Sequence, residues 1–354
     1  MAGIGALTAA LVAAACALAG CGSLGYVKQS VAGHLDLMQR ARPVPEWLAE
    51  PQTDPVLRER LALTQRIRDW AVAELKLPEN RSYRAYAALD RPAAVWNVVA
   101  APALSLTLKT WCFPVVGCVG YRGYYARADA DALAAELRAD GLEVAVYGVP
   151  AYSTLGWTDW LGGDPLLSTF IRWPEGELAR LIFHELAHQV VYVADDTTFN
   201  ESFATAVERL GGQRWLAERA TPEARAEYEA FDARRRDFRA LTLALREDLA
   251  RLYADPGLDD AAKHRAKAER MARLRTDHAR IKVERWGGFA GYDGWFERAN
   301  NALIGVQAAY DQWVPAFERL FEAEGRDFER FYARVRALAA LPKAERQAAL
   351  ERLS

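Results

Sequence analysis

Two histidines four residues apart, His184 and His188, constrain this chain more tightly than any other feature of its sequence. Around them Leu178, Leu181, Ile182 and Leu186 recur at helical spacing, and Pro174 stands at the start of the run. A helix over residues 175–193 puts both imidazoles on one face, one turn apart, next to that apolar stripe. Such a helix must bury one side and still leave an adjoining face where two nitrogens converge. At that separation both reach one zinc ion. Glu185, beside the first histidine, is then placed to polarise a water on the ion, take its proton and return it to a leaving amine. The chain has only five histidines, so H-E-x-x-H is expected by chance in on the order of 1% of such sequences or fewer. The plain alternative is two histidines that pack or cap in a helix and happen to bracket a glutamate.

The N-terminus bears on the compartment. Ile4 to Gly20 is an unbroken run of small and apolar residues, short for a spanning helix, and ends in Leu18-Ala19-Gly20-Cys21. That ending resembles the lipobox of bacterial lipoproteins, in which cleavage precedes the cysteine and the thiol is acylated. No Lys or Arg precedes the run, which departs from that pattern. An ordinary secretory signal cut elsewhere and a membrane helix are the other readings. The resemblance implies residues 1–20 as signal, lipidation at Cys21, and a protein facing the periplasm; Gly22 after the cysteine favours the outer membrane. With Cys16 in the signal, Cys112 and Cys118 remain, flanking the turn-like Phe113-Pro114-Val115-Val116-Gly117. In an oxidising compartment this pair reads as a disulfide clipping a hairpin, with two buried thiols as the alternative.

The 354 residues are about half apolar, enough for one large domain or two modest ones. A net charge of −2, from 45 basic and 47 acidic residues, shows no basic excess that would follow a phosphate backbone, so nucleic acid is not an expected partner. Pro43, Pro45, Pro51 and Pro55 give residues 21–55 the look of a tether, with the folded domain over 56–354. Residues 56–75 have helical spacing that Pro78 stops. Leu104, Leu106 and Leu108 alternate with polar residues as in a half-buried strand. Residues 119–125 and 142–149 read as strands and 128–139 as a helix. Beyond Leu155 nearly everything is helical: 198–210, ended by Gly211-Gly212, then a charged hairpin over 222–284 turning at Ala254-Asp255-Pro256-Gly257, then three or four helices over 295–350. The expected class is α+β, a small N-terminal sheet followed by a mostly helical C-terminal half.

A zinc site needs a third ligand and a position open to water. Twelve residues after His188 stands Asn200-Glu201-Ser202-Phe203-Ala204-Thr205-Ala206-Val207-Glu208. This stretch resembles the gluzincin peptidases, thermolysin and the aminopeptidase N group, where the Glu of an Asn-Glu pair opening a second helix is the third ligand. The resemblance makes Glu201 that ligand and Glu208, two turns on, an acceptor for a ligand imidazole. Other readings stay open. Thr198-x-x-Glu201 is also a capping box. Glu208, with nineteen residues between it and His188, fits thermolysin-like spacing better, and Asp195 and Asp196 are nearby carboxylates. In zincins an edge strand before the metal helix pairs with extended substrate. Carried over, Tyr152, Ser153, Thr154, Leu155 and Gly156 would touch it; an ordinary loop with a buried Tyr is the alternative.

The stretches C-F-P-x-x-G-C-V-G-Y-R-G-Y-Y, A-Y-S-T-L-G-W, I-F-H-E-L-A-H-Q and F-N-E-S-F-A-T-A-V-E together are similar to a family of predicted bacterial aminopeptidases, zinc-dependent lipoproteins. The resemblance spans most of residues 21–340. It implies a zincin-like fold, one Zn2+ per chain and a peptide substrate. The G-A-M-E-N segment by which aminopeptidase N enzymes hold the substrate amine is absent. For the oxyanion the resemblance favours Tyr310 over Tyr292, each being otherwise an ordinary core or surface Tyr. His34, His264 and His278 stand in polar surroundings and read as solvated. The expected function is hydrolysis of peptide bonds, as an aminopeptidase. The rivals are an envelope endopeptidase or amidase, and a catalytically silent lipoprotein that docks a partner through 222–284.

Overall fold

Three of the four prolines that give residues 21–55 the look of a tether, Pro43, Pro45 and Pro55, stand in the folded chain at helix starts. The computed structural model describes residues 25–113, 117–151 and 162–353, with backbone alone at 308–311. Helix α1 covers residues 25–40 and buries Leu37. Strand β1 (Arg42–Pro43) leads into α2 (Val44–Ala49), where Pro43 is the N-cap and Pro45 lies in the first turn. Pro55 opens α3 (Pro55–Leu75), capped by the Asp54 carboxylate on Leu57 N–H. A missing N–H costs nothing in a helix's first turn, so proline there is favourable. Val44 is fully buried, and β1 pairs with β2 (Ala85–Ala87). Residues 25–49 are thus part of the body.

The sheet that carries the site's approach is built from β3 (Val95–Pro102), β6 (Arg122–Tyr124) and β7 (Leu142–Val149), in the order β6-β3-β7 and antiparallel throughout. Between β3 and β6 lies a hairpin of β4 (Trp111–Phe113) and β5 (Gly117–Val119), joined by the disulfide Cys112–Cys118. Helix α4 (Arg127–Ala139) covers one face of the sheet through Ala130, Ala134 and Leu137. The other face packs on Ala302 and Leu303. Covered on both sides, β3 is buried almost throughout, which explains a nearly continuous apolar run in place of alternation. A short β8 (Leu166–Leu167) pairs parallel with β2.

Residues 104–108, whose alternating leucines suggested a strand, are irregular. Two of their leucines act as plugs: Leu106 packs on the cluster around Trp286 and Phe296, Leu108 on the face of the sheet that meets Ala302 and Leu303. Alternation here reflects two different pockets filled by one loop.

The C-terminal half is helical. Helix α5 (Glu175–Ala187) and α6 (Thr197–Glu218) run through the centre of the main core, contributing Leu178, Ile182, Phe183, Leu186, Phe199, Phe203 and Val207. Helix α6 passes straight through Gly211-Gly212 instead of stopping there. A Cβ on Gly211 would lie 2.5 Å from Leu75 Cδ1 and 3.0 Å from Phe183 Cδ2, so glycine lets α3 and α5 approach α6 closely. The hairpin of α7 (Pro222–Ala254) and α8 (Asp260–Glu284) is capped by Thr221 and Asp259, and the Asp255 carboxylate accepts from Gly257 N–H at the turn. Lys267 of α8 pairs with Glu143, and Tyr253 donates to Asn301 at 2.8 Å, so the hairpin is pinned to the sheet. Then come α9 (Asp293–Arg298), α10 (Asn301–Asp311), α11 (Val314–Ala323), α12 (Phe328–Ala339) and α13 (Lys343–Glu351). Among the described residues no helix is long and apolar enough to cross a membrane.

Candidate metal centre

Helix α5 ends at Ala187, with His188 as its C-cap, earlier than the apolar pattern suggests. Side-chain hydrogen bonds from outside the helix turn the chain away at this point. Gln189 bonds to the loop before β2, accepting from Asn80 at 2.6 Å and donating to Ser82 at 3.1 Å. The Asn200 side chain then clips the turn: it accepts from Val193 N–H at 2.8 Å and donates to Val193 C=O at 2.7 Å. These bonds let only nine residues, 188–196, separate the two helices.

Across that turn His184, His188 and Glu201 converge, with one donor atom from each lying within 4.8 Å of the others. Glu201 Oε2 is 3.3 Å from His184 Nε2 and 3.7 Å from His188 Nε2. Behind them, Glu208 Oε2 lies 3.0 Å from His184 Nδ1, and its other oxygen pairs with Arg180. An imidazole that gives Nδ1–H to Glu208 keeps Nε2 for the convergence point. Glu208 therefore stands behind the histidine, and Glu201 faces the point where both Nε2 atoms meet.

The rival carboxylates have other partners. Asp196 caps α6 on Phe199 N–H at 3.2 Å and receives Arg346 at 2.7 and 3.0 Å, both residues being buried. Asp195, in the left-handed region at φ 63°, accepts from Cys118 N–H at 2.5 Å, tying the disulfide hairpin to the turn. With Asp196 as the cap, Glu201 is not the reciprocal half of a capping box begun by Thr198.

Burial and charge set the titration of the group. Burial would depress His184, but Glu201 and Glu208 outweigh it and hold the imidazole well above its ordinary value. Burial pulls His188 down to about 4. For Glu208, burial acts upward and is overcome by Arg180 and His184, giving about 2. Glu185 rises to about 7, through burial first and then the carboxylates around it, although His184 opposes. Two imidazole nitrogens and a carboxylate, buried and converging, suit a divalent cation that accepts N and O donors with a fourth position open, as zinc does. Glu185 and His184 line a cleft of about 360 Å³ together with Val149 at the end of β7 and Pro150 and Ala151 after it.

Tyr152, Ser153, Thr154, Leu155 and Gly156 lie outside the described residues, as does Cys21. Tyr310 belongs to α10, but its side chain is outside them too. Tyr292 stacks on Phe238 at 4.4 Å in an aromatic cluster and so serves packing. His278 is buried, stacked on Phe296 at 4.0 Å and 3.4 Å from Asp293, unlike the solvated residue expected. Sequence reasoning missed Tyr121, Tyr147 and Tyr192, each raised by burial with the charge of Glu201 adding to the shift. It also missed Arg180, although the i, i+4 relation to His184 was there to find it.

Two adjoining helices carrying a buried His-His-Glu group, set into an α+β body, define a protein with a candidate metal centre. The chain belongs to the family described as "Putative aminopeptidase", whose model matches residues 25–350. That match takes in residues 25–55 as well as the expected domain. Searches of curated proteins and of solved structures return no match.

Proposed function

We propose that this chain is a zinc-dependent peptidase with a zincin-like fold, acting as an aminopeptidase. The observation that carries the reading is the convergence of His184, His188 and Glu201 beside a cleft-lining Glu185. Family membership supports a peptide substrate. His184, His188 and Glu201 would hold the ion, which supplies a Lewis acid that polarises the peptide carbonyl and activates water. Glu185 takes the proton of the attacking water and passes it to the departing amine. Burial suits it for both halves, since a carboxylate titrating near neutrality can accept and return a proton. Glu208 fixes the ring of His184, and Arg180 holds Glu208. The outer strand β7, paired on the described residues with β3 alone, leads into the cleft at Val149 to Ala151, an arrangement suited to extended peptide laid along it.

The test is Glu185→Gln in the soluble chain. About one zinc per chain should remain, while turnover on a peptide mixture falls by on the order of 100-fold or more. Loss of zinc would make Glu185 a ligand; full activity would refute the mechanism. Scoring N-terminal against internal cuts separates aminopeptidase from endopeptidase. A wild-type chain that binds zinc and cleaves nothing would favour the partner-docking lipoprotein. We also read Cys21 as the lipid anchor of a periplasm-facing, outer-membrane protein. Cys21→Ala should release the chain from membranes, and continued fractionation with the outer membrane would contradict the anchor.

A further inference from the structure

The cleft beside the metal centre has a wall that the proposed reaction leaves unused. Helix α7 starts against α5: a Cβ on Gly176 would lie 2.6 Å from the Tyr228 ring, so the two helices touch closely there. Two turns on, Arg235 donates to Glu177 Oε1 at 2.5 Å and reaches Asp232 at 3.4 Å. Arg239, one turn further along α7, lines the cleft together with Arg235, Arg180, His184 and Glu185. Three guanidinium groups thus face one cavity.

Arg180 is the most telling of them. It is only 5% exposed, gives Nη2 to Glu208, and has Nε and Nη1 buried without a hydrogen-bond partner among the described residues. A guanidinium stays charged at any ordinary pH, and its buried N–H groups are costly without an acceptor. The carboxylates of the cleft have duties already: Glu177 receives Arg235, Glu208 receives Arg180 and His184, and Glu185 handles the proton. Among the described residues no carboxylate is left for Arg180 Nε and Nη1, so what can still meet them is an anion from outside. Position limits which anion. Arg180 precedes His184 by one helical turn, about 6 Å along the axis. Extended peptide advances roughly 3.4 Å per residue. A carboxylate held by the wall therefore belongs to a residue within about two of the bond at the metal centre.

We propose that the Arg180, Arg235 and Arg239 wall reads a peptide carboxylate next to the cleaved bond, making the substrates peptides with Asp or Glu, or a free C-terminus, at that place. That such peptides are cleaved rests on the peptidase reading; that the wall binds their carboxylate does not.

The experiment uses the zinc-loaded Glu185→Gln chain, titrated with short peptides in matched pairs: Glu against Gln at each position, and free against amidated C-terminus. One acidic member should bind roughly 10-fold or more tightly than its neutral twin, as desolvated arginine–carboxylate contacts do. Which pair responds tells side chain from terminus. Arg239→Gln should collapse the difference within that pair, Arg239→Lys should keep part of it, and Arg239→Glu should turn the preference towards Lys peptides. Zinc content of each variant reports folding. Equal binding within every pair, or a difference untouched by Arg239→Gln in a zinc-retaining variant, overturns the inference. In the unmodified chain, cleavage indifferent to acidic residues overturns it too. Absence of any cleavage, with the pairwise binding difference intact, removes the peptidase reading and leaves the anion wall standing.

Discussion

Glu201 and Glu208 are both partly buried glutamates two turns apart on α6, yet their surroundings give them different tasks. Glu201 looks at two imidazole nitrogens, whereas Glu208 looks at one imidazole from behind and at a guanidinium. Glu201→Gln should therefore lose zinc outright on dialysis. Glu208→Gln should keep it with affinity weakened by about 10- to 100-fold, as is typical when a ligand histidine loses its orienting acceptor. Competition with a chelator measures both. The reverse order, zinc lost in Glu208→Gln and kept in Glu201→Gln, would exchange the two roles. At this scale the sequence was readable because helical spacing is rigid. The shared face of His184 and His188, with Glu185 beside them, follows from counting turns, and the expected tasks of Glu201 and Glu208 from the resemblance of their motif. Arg239 was not readable, because it reaches the cleft through the packing of α7 on α5, some fifty residues away along the chain. Nothing local to Arg239 encodes that contact.

Elements show where local rules give way to packing. The Gly211-Gly212 pair looks like a helix stop because glycine costs a helix interior about 1 kcal/mol relative to alanine. In α6 that cost is offset by close approach to Leu75 and Phe183, both fully buried. Gly211→Ala would recover the intrinsic propensity and meet an overpacking penalty of about 1–3 kcal/mol. The expected net result is a loss of up to about 2 kcal/mol, seen as a lower urea midpoint with unchanged slope. A rise in the midpoint would mean that the three helices have room to spare. The early prolines and the leucines of 104–108 follow the same logic. Each was legible as a local signal, but its meaning depended on which helix start or which pocket the fold brought to it. By contrast β7, α4 and the long hairpin carry strong periodicity between clear turn residues, and their bounds lie close to those read from sequence.

Across the whole molecule, zinc would act as part of the fold. The three proposed ligands come from both central helices, so an ion bound only by the folded chain adds stability by mass action, about 2.7 kcal/mol at one hundred times its Kd. Chelation should lower the Tm, readdition of zinc should restore it, and His188→Ala should leave the Tm indifferent to both. A Tm insensitive to zinc in the unmutated chain would place any ion outside the folded core. The ligand turn is also fastened from far away. Asp196, which starts the ligand helix, takes its cation from Arg346 in α13, 150 residues later. Until that last helix is in place, the start of α6 holds a carboxylate whose burial no guanidinium compensates. The turn between the proposed metal ligands is thus locked only by the far end of the chain, and a chain cut short before α13 would lack that lock while keeping all three proposed ligands.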